Sequence, residues 1–200
     1  MRSFFVAILT LVSHNKSFIC EPRGFTTADE MNEAIIERWN KVVKPDDIVY
    51  HLGDVFLNNN EIGIQCVKRL NGQIFMIWGN HDSDVRKNLL FSECRDKMIG
   101  GWYAYQIKYN KLNLYLSHYP TITANYDEKH LNQHVINLHG HTHQQKNFFY
   151  ADNPFMYHVG MDSHNCTPVH IDEIITEIKQ QWFDLQKLNL KINDYMSEWR

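Results

Sequence analysis

An α/β fold is what the patterning of this chain predicts. Strand-like and helical segments alternate through the first half, the arrangement that builds a sheet with helices on its faces. The second half is richer in strands, so a further antiparallel or mixed sheet is expected there. Four apolar strand-like runs each end on a Gly, Asp, Asn or His, and these ends carry the chemistry.

The strand-like runs are short and rich in Val, Ile, Leu and aromatic residues: Phe4 to Val12, Ile48 to Leu52, Ile74 to Trp78, Leu112 to Leu116, Val135 to Leu138 and Phe155 to Val159. The first lies in "MRSFFVAILTLVSH", a basic residue followed by an apolar run, which is also how a secretory signal begins. No small-x-small cleavage site follows it, and the run is too short to span a bilayer, so a buried first strand is expected.

Between the early strands lie helical patterns. Thr27 with Glu30 forms a capping box, Met31, Ile35, Trp39 and Val42 share one helical face, and Pro45 stops the helix. A second helix runs from about Glu61 to Leu70, ending at Asn71-Gly72, and a third begins near Ser83. Asn110-Lys111 makes a turn between "WYAYQIKY" and "LNLYLSHYP". From Ile171 onward there is neither Gly nor Pro, and Ile171, Ile174, Ile178, Trp182, Leu185, Leu188, Ile192, Tyr195 and Trp199 recur at helical spacing. A domain over 1–170 with an amphipathic helical tail over 171–200 packed on it is therefore expected, a dimer contact through that tail being the alternative to a monomer.

Composition narrows the function. A chain of 200 residues with a formal net charge of −3 and no Lys/Arg run has no electrostatic footprint for a stable nucleic-acid complex, and nothing in it calls for a membrane. Cys20, Cys66, Cys94 and Cys166 are scattered without a Cys-x-x-Cys pair, which suits reduced thiols in a cytoplasmic protein.

"IVYHLGD" closes on Gly53-Asp54, "IFMIWGNHD" on Gly79-Asn80-His81-Asp82, "LYLSHYP" on His118, and "VINLHGHTH" on Gly140-His141 and His143. The C-terminal ends of strands are where open α/β sheets place ligands. Each signal alone has a plain alternative: a Gly-Asp turn, an Asn helix cap, a strand-end histidine bonded to backbone. Their joint recurrence is what points to a site. A set of Asp, Asn and His without thiolate suits Mn²⁺, Fe or Zn²⁺ in hydrolysis better than a structural zinc.

In this order, Gly53-Asp54, Gly79-Asn80-His81-Asp82, His118 and Gly140-His141-Thr142-His143 resemble the calcineurin-like metallophosphoesterases, and "EMNEAIIERWN", "PDDIVYHLGD" and "VGMDSHNCTPVHIDEI" resemble its small bacterial and phage members. The resemblance implies a four-layer α-β-β-α sandwich of two mixed sheets with two metal ions at one edge. It implies that Asp54 bridges the metals, that Asn80, His118 and His141 complete the second site, and that His143 belongs to the first. A hydroxide held between the metals would attack phosphorus in line. His81 would stand at the leaving oxygen, oriented by Asp82 or Asp54. His14, Arg23, Asn80 and His81 would contact substrate. His51 and His164 either line the pocket or bond to backbone, and His139, ahead of the turn glycine, is structural.

The chain departs from the family at its first strand. Where Asp-x-His is expected, "ILTLVSH" places Leu9 and Leu11, which cannot coordinate a cation, so the first site keeps only Asp54 and His143. The expectation is a phosphate mono- or diesterase, impaired at that site, using one or two divalent ions with Mn the leading candidate. The alternative is a silent member that binds a phosphorylated ligand. "GDVFLNNN" lacks the Asp-Arg-Gly continuation of the Ser/Thr protein phosphatases, which leaves a small phosphorylated substrate, a nucleotide among the candidates.

Overall fold

A computed structural model describes residues 2–7, 11–12, 20–124 and 130–197, with backbone alone for 11–12 and 189–197. Leu9 and His14 lie outside the described residues, as does Trp199 of the tail. Two five-stranded mixed sheets face each other, flanked by four α-helices, the architecture expected for the family fold. In the first sheet, β1 (Phe4–Ala7), β3 (Ile48–His51), β5 (Gln73–Ile77) and β6 (Met98–Trp102) run parallel, and β12 (Val169–His170) pairs antiparallel with β1.

The second sheet has the order β10 (Phe148–Tyr150), β11 (Asn153–His158), β9 (Val135–His139), β8 (Leu112–Ser117) and β7 (Ala104–Tyr109). Strands β11, β9 and β8 are mutually parallel, and β7 and β10 are antiparallel to their neighbours. Within the first apolar run the described residues are Phe4–Ala7, which form β1, and Leu11–Val12, which form β2 and pair with β4 (Phe56–Leu57) in a separate two-stranded ribbon.

The helices form where capping and periodicity favour them. Thr27 caps α1 (Ala28–Val42) by accepting from the Glu30 N–H, Asn59 caps α2 (Asn60–Arg69), and Ser83 caps α3 (Asp84–Glu93). Met31, Ile35 and Trp39 of α1, Ile64 and Val67 of α2 and Leu90 of α3 pack on Phe5, Ala7, Val49, Ile74 and Met76 of the first sheet. The alternate residues Val6 and Ile77, with Leu52, meet Leu114, Leu116, Ile136, Leu138 and Tyr157 of the second sheet between the layers. α4 (Ile171–Ser197) seals that core with Ile171, Ile174, Ile175 and Ile178, against β11, β12 and β1. Among the described residues, no helix is long and apolar enough to cross a membrane. All four cysteines are buried free thiols.

Parallel order sends β3, β5, β8, β9 and β11 out at one edge of the sandwich. Just inside that edge, His139 and His158 sit opposite each other on β9 and β11, with ring centroids 5.6 Å apart and almost no exposure. Burial pushes His139 down to about 4 and His158 down to about 3. Both stay neutral in the fold while the unfolded chain takes up protons near pH 6.5, so stability is full above that pH and drains away as pH falls toward 4 and then 3. Each histidine is expected to cost about 1.4 kcal/mol per pH unit inside its window. Urea unfolding at pH 7.5 and pH 5 reads this difference, and His158→Asn is expected to shrink it.

Candidate metal centre

The centre grows from two glycine turns at adjacent strand ends. Gly53, after β3, has φ +94°, a conformation in which a side chain is strained, and a Cβ there would lie 2.6 Å from both the Gly79 nitrogen and His118 Nδ1. A Cβ on Gly79 would lie 2.2 Å from Asp54 Oδ1. The two backbones and the two side chains thus meet only because neither glycine carries a side chain.

Asp82 ties the turns together. Its Oδ2 accepts the N–H groups of Asp54 and Gly79, each at 2.8 Å, and its Oδ1 accepts that of Val55 at 3.3 Å. Burial pushes the Asp82 carboxyl up, an effect opposed by the Gly79 and Asp54 amides. The structure therefore places Asp82 against backbone amides rather than beside a reacting proton. Asp54, with φ 54°, in turn accepts the His81 N–H on Oδ1 at 2.8 Å and directs Oδ2 to His118 Nε2 at 3.3 Å.

His118, at the end of β8, is 2 % exposed. Its Nδ1 lies 2.7 Å from the Leu52 carbonyl oxygen, which accepts only, so Nδ1 carries the proton and Nε2 faces the centre. Around Nε2 stand Asn80 Oδ1 at 3.0 Å, His141 Nδ1 at 3.2 Å and Asp54 Oδ2. Three of these four atoms belong to Asp54, His118 and His141, which present ligand atoms within 4.8 Å of one another.

That convergence is the fit test for a cation. Four lone-pair donors face each other, and a proton on one nitrogen satisfies at most one neighbour at a time, whereas a divalent ion satisfies all of them. The Leu52 carbonyl supplies the outer contact that ligating histidines ordinarily have. Charge agrees. Burial opposes ionisation of both Asp54 and His118, yet their mutual bond outweighs it, drawing Asp54 below and His118 above their ordinary values. The surroundings of Nε2 favour positive charge.

A cleft lined by Arg23, Asp54, His118, His141, His143, His158 and Asp162 opens beside this cluster. His143 is brought to the cleft but not into the cluster. His141 and His143 hold left-handed backbone, φ 62° and 49°. His81 is exposed beside the cleft, next to Asn80. Arg23 reaches the cleft wall, where its guanidinium is committed to Asp162. His51 accepts the Gly53 N–H, His164 donates to the His158 carbonyl at 2.9 Å, and His139 packs edge-on against Phe149, so these three are engaged with backbone or core.

Sequence reading passed over Asp162 and Tyr119. Asp162 follows β11 by way of Gly160, the same strand-then-glycine signature that exposed Asp54. Tyr119 is half exposed, its ring centroid 4.6 Å from that of His141 and 5.0 Å from that of His118.

The fold agrees with the comparisons. The calcineurin-like phosphoesterase superfamily domain matches residues 29–157, and the chain belongs to that superfamily. An uncharacterized protein of Methanocaldococcus jannaschii is 30 % identical over 190 residues, covering 90 % of this chain and 93 % of its own. The gene 66 protein of Mycobacterium phage D29 is 26 % identical over 197 residues, covering 84 % and 94 %. A crystal structure of a protein of unknown function from Aquifex aeolicus superposes with a TM-score of 0.65 at 19 % identity, over 88 % of this chain and 99 % of its own, which speaks for the fold.

Two outcomes follow from the centre. Asp82→Ala strands three amides and is expected to cost on the order of 3 kcal/mol in urea unfolding while weakening Mn²⁺ binding; Asp82→Asn recovers part of both. Since His118 holds its proton above the ordinary histidine value, Mn²⁺ affinity is expected to keep rising with pH past 6.5 and binding to release protons, measured by calorimetry in buffers of different ionisation enthalpy.

Proposed function

We propose that this chain is a metal-dependent phosphoesterase that works from one well-built cation site, formed by Asp54, Asn80, His118 and His141. The observation that carries the reading is the convergence of four lone-pair donors on one point beside an open cleft. A divalent ion held there supplies Lewis acidity to a phosphoryl oxygen and lowers the pKa of a water.

The protein's own residues do the rest. Asn80 holds the bound ester's phosphoryl end at the strand edge, with Asp82 and the two glycines fixing the position of its turn. His81, anchored through its amide on Asp54, donates a ring N–H to the departing oxygen and so spares the leaving group a full negative charge. Mn²⁺ is the proposed ion, with Fe and Zn²⁺ as competitors for a set of two imidazoles, a carboxylate and an amide. The proposed substrate is a small phosphorylated molecule, a nucleotide among the candidates.

A second reading, a silent member that binds a phosphorylated ligand without turnover, follows if the register that sets Leu9 and Leu11 against the family's first-site ligands holds. Elemental analysis after Mn²⁺ saturation separates the two from a two-metal enzyme. One ion per chain in the parent and two in Leu9→Asp/Leu11→His is the expected result. Two ions in the parent would overturn the one-site reading. Hydrolysis of an aryl phosphate ester by the parent, lost by at least about a hundredfold in Asn80→Ala and His118→Ala, marks an enzyme. Thermal stabilisation by the ester with no product marks the silent reading.

A further inference from the structure

His143 reaches the cleft from a left-handed turn with its side chain 58 % exposed, and its ring is nevertheless held. Asp162 accepts the Arg23 Nε–H on Oδ1 at 2.8 Å and an Arg23 Nη2–H on Oδ2 at 3.1 Å. The same Oδ2 stands 3.0 Å from His143 Nδ1. Arg23 Nη2 and His143 Nδ1 are 3.4 Å apart.

A guanidinium has donors only, so the contact between Nη2 and Nδ1 is the spacing of two donors that share one acceptor, provided the imidazole carries its proton on Nδ1. Asp162 settles that condition. Its two oxygens take the two Arg23 donors side by side, the geometry of a carboxylate paired with a guanidinium. An ionised carboxylate accepts, so His143 Nδ1 donates. In the neutral ring, Nε2 is then the nitrogen with the lone pair.

The supporting pair is built into the protein. The Arg23 and Asp162 side chains are 3 % and 9 % exposed. Arg23 closes a short 3₁₀ helix, Glu21–Arg23, that Gly24 ends with φ 80°. A lone carboxylate this buried would be costly, and the bidentate guanidinium offsets that cost.

We propose that Asp162, neutralised by Arg23, is a positioning residue that fixes His143 as the Nδ1–H tautomer and leaves Nε2 as a ready acceptor facing the cleft. Arg23 is thereby assigned to the wall of the site rather than to the phosphate. The use made of Nε2, as a ligand for a first-site cation, rests on the family reading of His143; the tautomer does not.

Long-range ¹H–¹⁵N correlation of the histidine side chains tests this in chelator-treated, full-length protein, with His143→Gln assigning the signal. The expected result is a protonated Nδ1 and a bare Nε2 on His143. In Arg23→Met/Asp162→Leu, where apolar groups of similar size replace the pair, His143 is expected to drift to the Nε2–H form that free imidazole prefers. An Nε2–H tautomer in the parent overturns the proposal, and so does an unchanged tautomer in the variant. Because the first of these needs no variant, a failure of the double mutant to fold does not shield the idea.

Mn²⁺ titration then separates this inference from the reading it serves. Adding the same double change to Leu9→Asp/Leu11→His is expected to weaken the second ion about 10- to 100-fold and leave the first unchanged. A shifted tautomer with both ions held as tightly as before supports the positioning role and removes His143 from the ligand set.

Discussion

One buried carboxylate holds the working edge together. Asp82 is the point at which the turn after β3 and the turn after β5 are joined, because three amides from the two segments end on its two oxygens. Sheet pairing aligns β3 with β5 only as far as His51 and Met76; beyond those residues nothing in the ladder sets the loops' separation. Asp54 then repeats the device one step nearer the centre, one oxygen given to a backbone amide and the other to His118. A carboxylate that spends half of its accepting capacity on scaffold keeps the other half in a fixed direction, which is what an oriented ligand requires.

The histidines divide according to what surrounds them, not according to burial alone. His118, His139 and His158 are all nearly inaccessible, yet the first is drawn toward the charged form and the other two are driven from it. The difference is one carboxylate. His118 faces Asp54 as well as the Leu52 carbonyl, whereas His139 meets only the Gly140 carbonyl and His158 the Ser163 hydroxyl, with each other's rings beside them. The strand-end motif therefore contains two kinds of histidine a few ångströms apart, one kind suited to a cation and the other to packing.

Much of this was legible in the sequence. The alternation of elements, the capping box at Thr27, the helical stripe from Ile171 and the four strand ends are local signals, and local physics produces them. The gathering of Asp54, Asn80, His118 and His141 followed from one rule about strand ends. What stayed hidden was non-local. Arg23 and Asp162 are 139 residues apart, and no pattern in either segment announces that a guanidinium meets that carboxylate. Asp82 read as a partner for a catalytic histidine because it adjoins one, whereas its bonds are to the amides of Asp54 and Val55 in the preceding loop and of Gly79 in its own turn. The apolar run from Phe4 to Val12 read as one strand because composition carries no mark for the point where pairing changes partner.

Asp54 and His141 of the proposed cation site, and His143 at the cleft wall, hold left-handed backbone that side chains ordinarily avoid. Asp and His tolerate that conformation better than most residues, yet each still carries a penalty of about 1 kcal/mol relative to a relaxed geometry. Glycine at any of the three positions would ease folding and bind nothing. Screens that select this chain for thermal resistance alone are thus poised to discard its chemistry first, since the substitutions most readily rewarded lie at the residues that bear it.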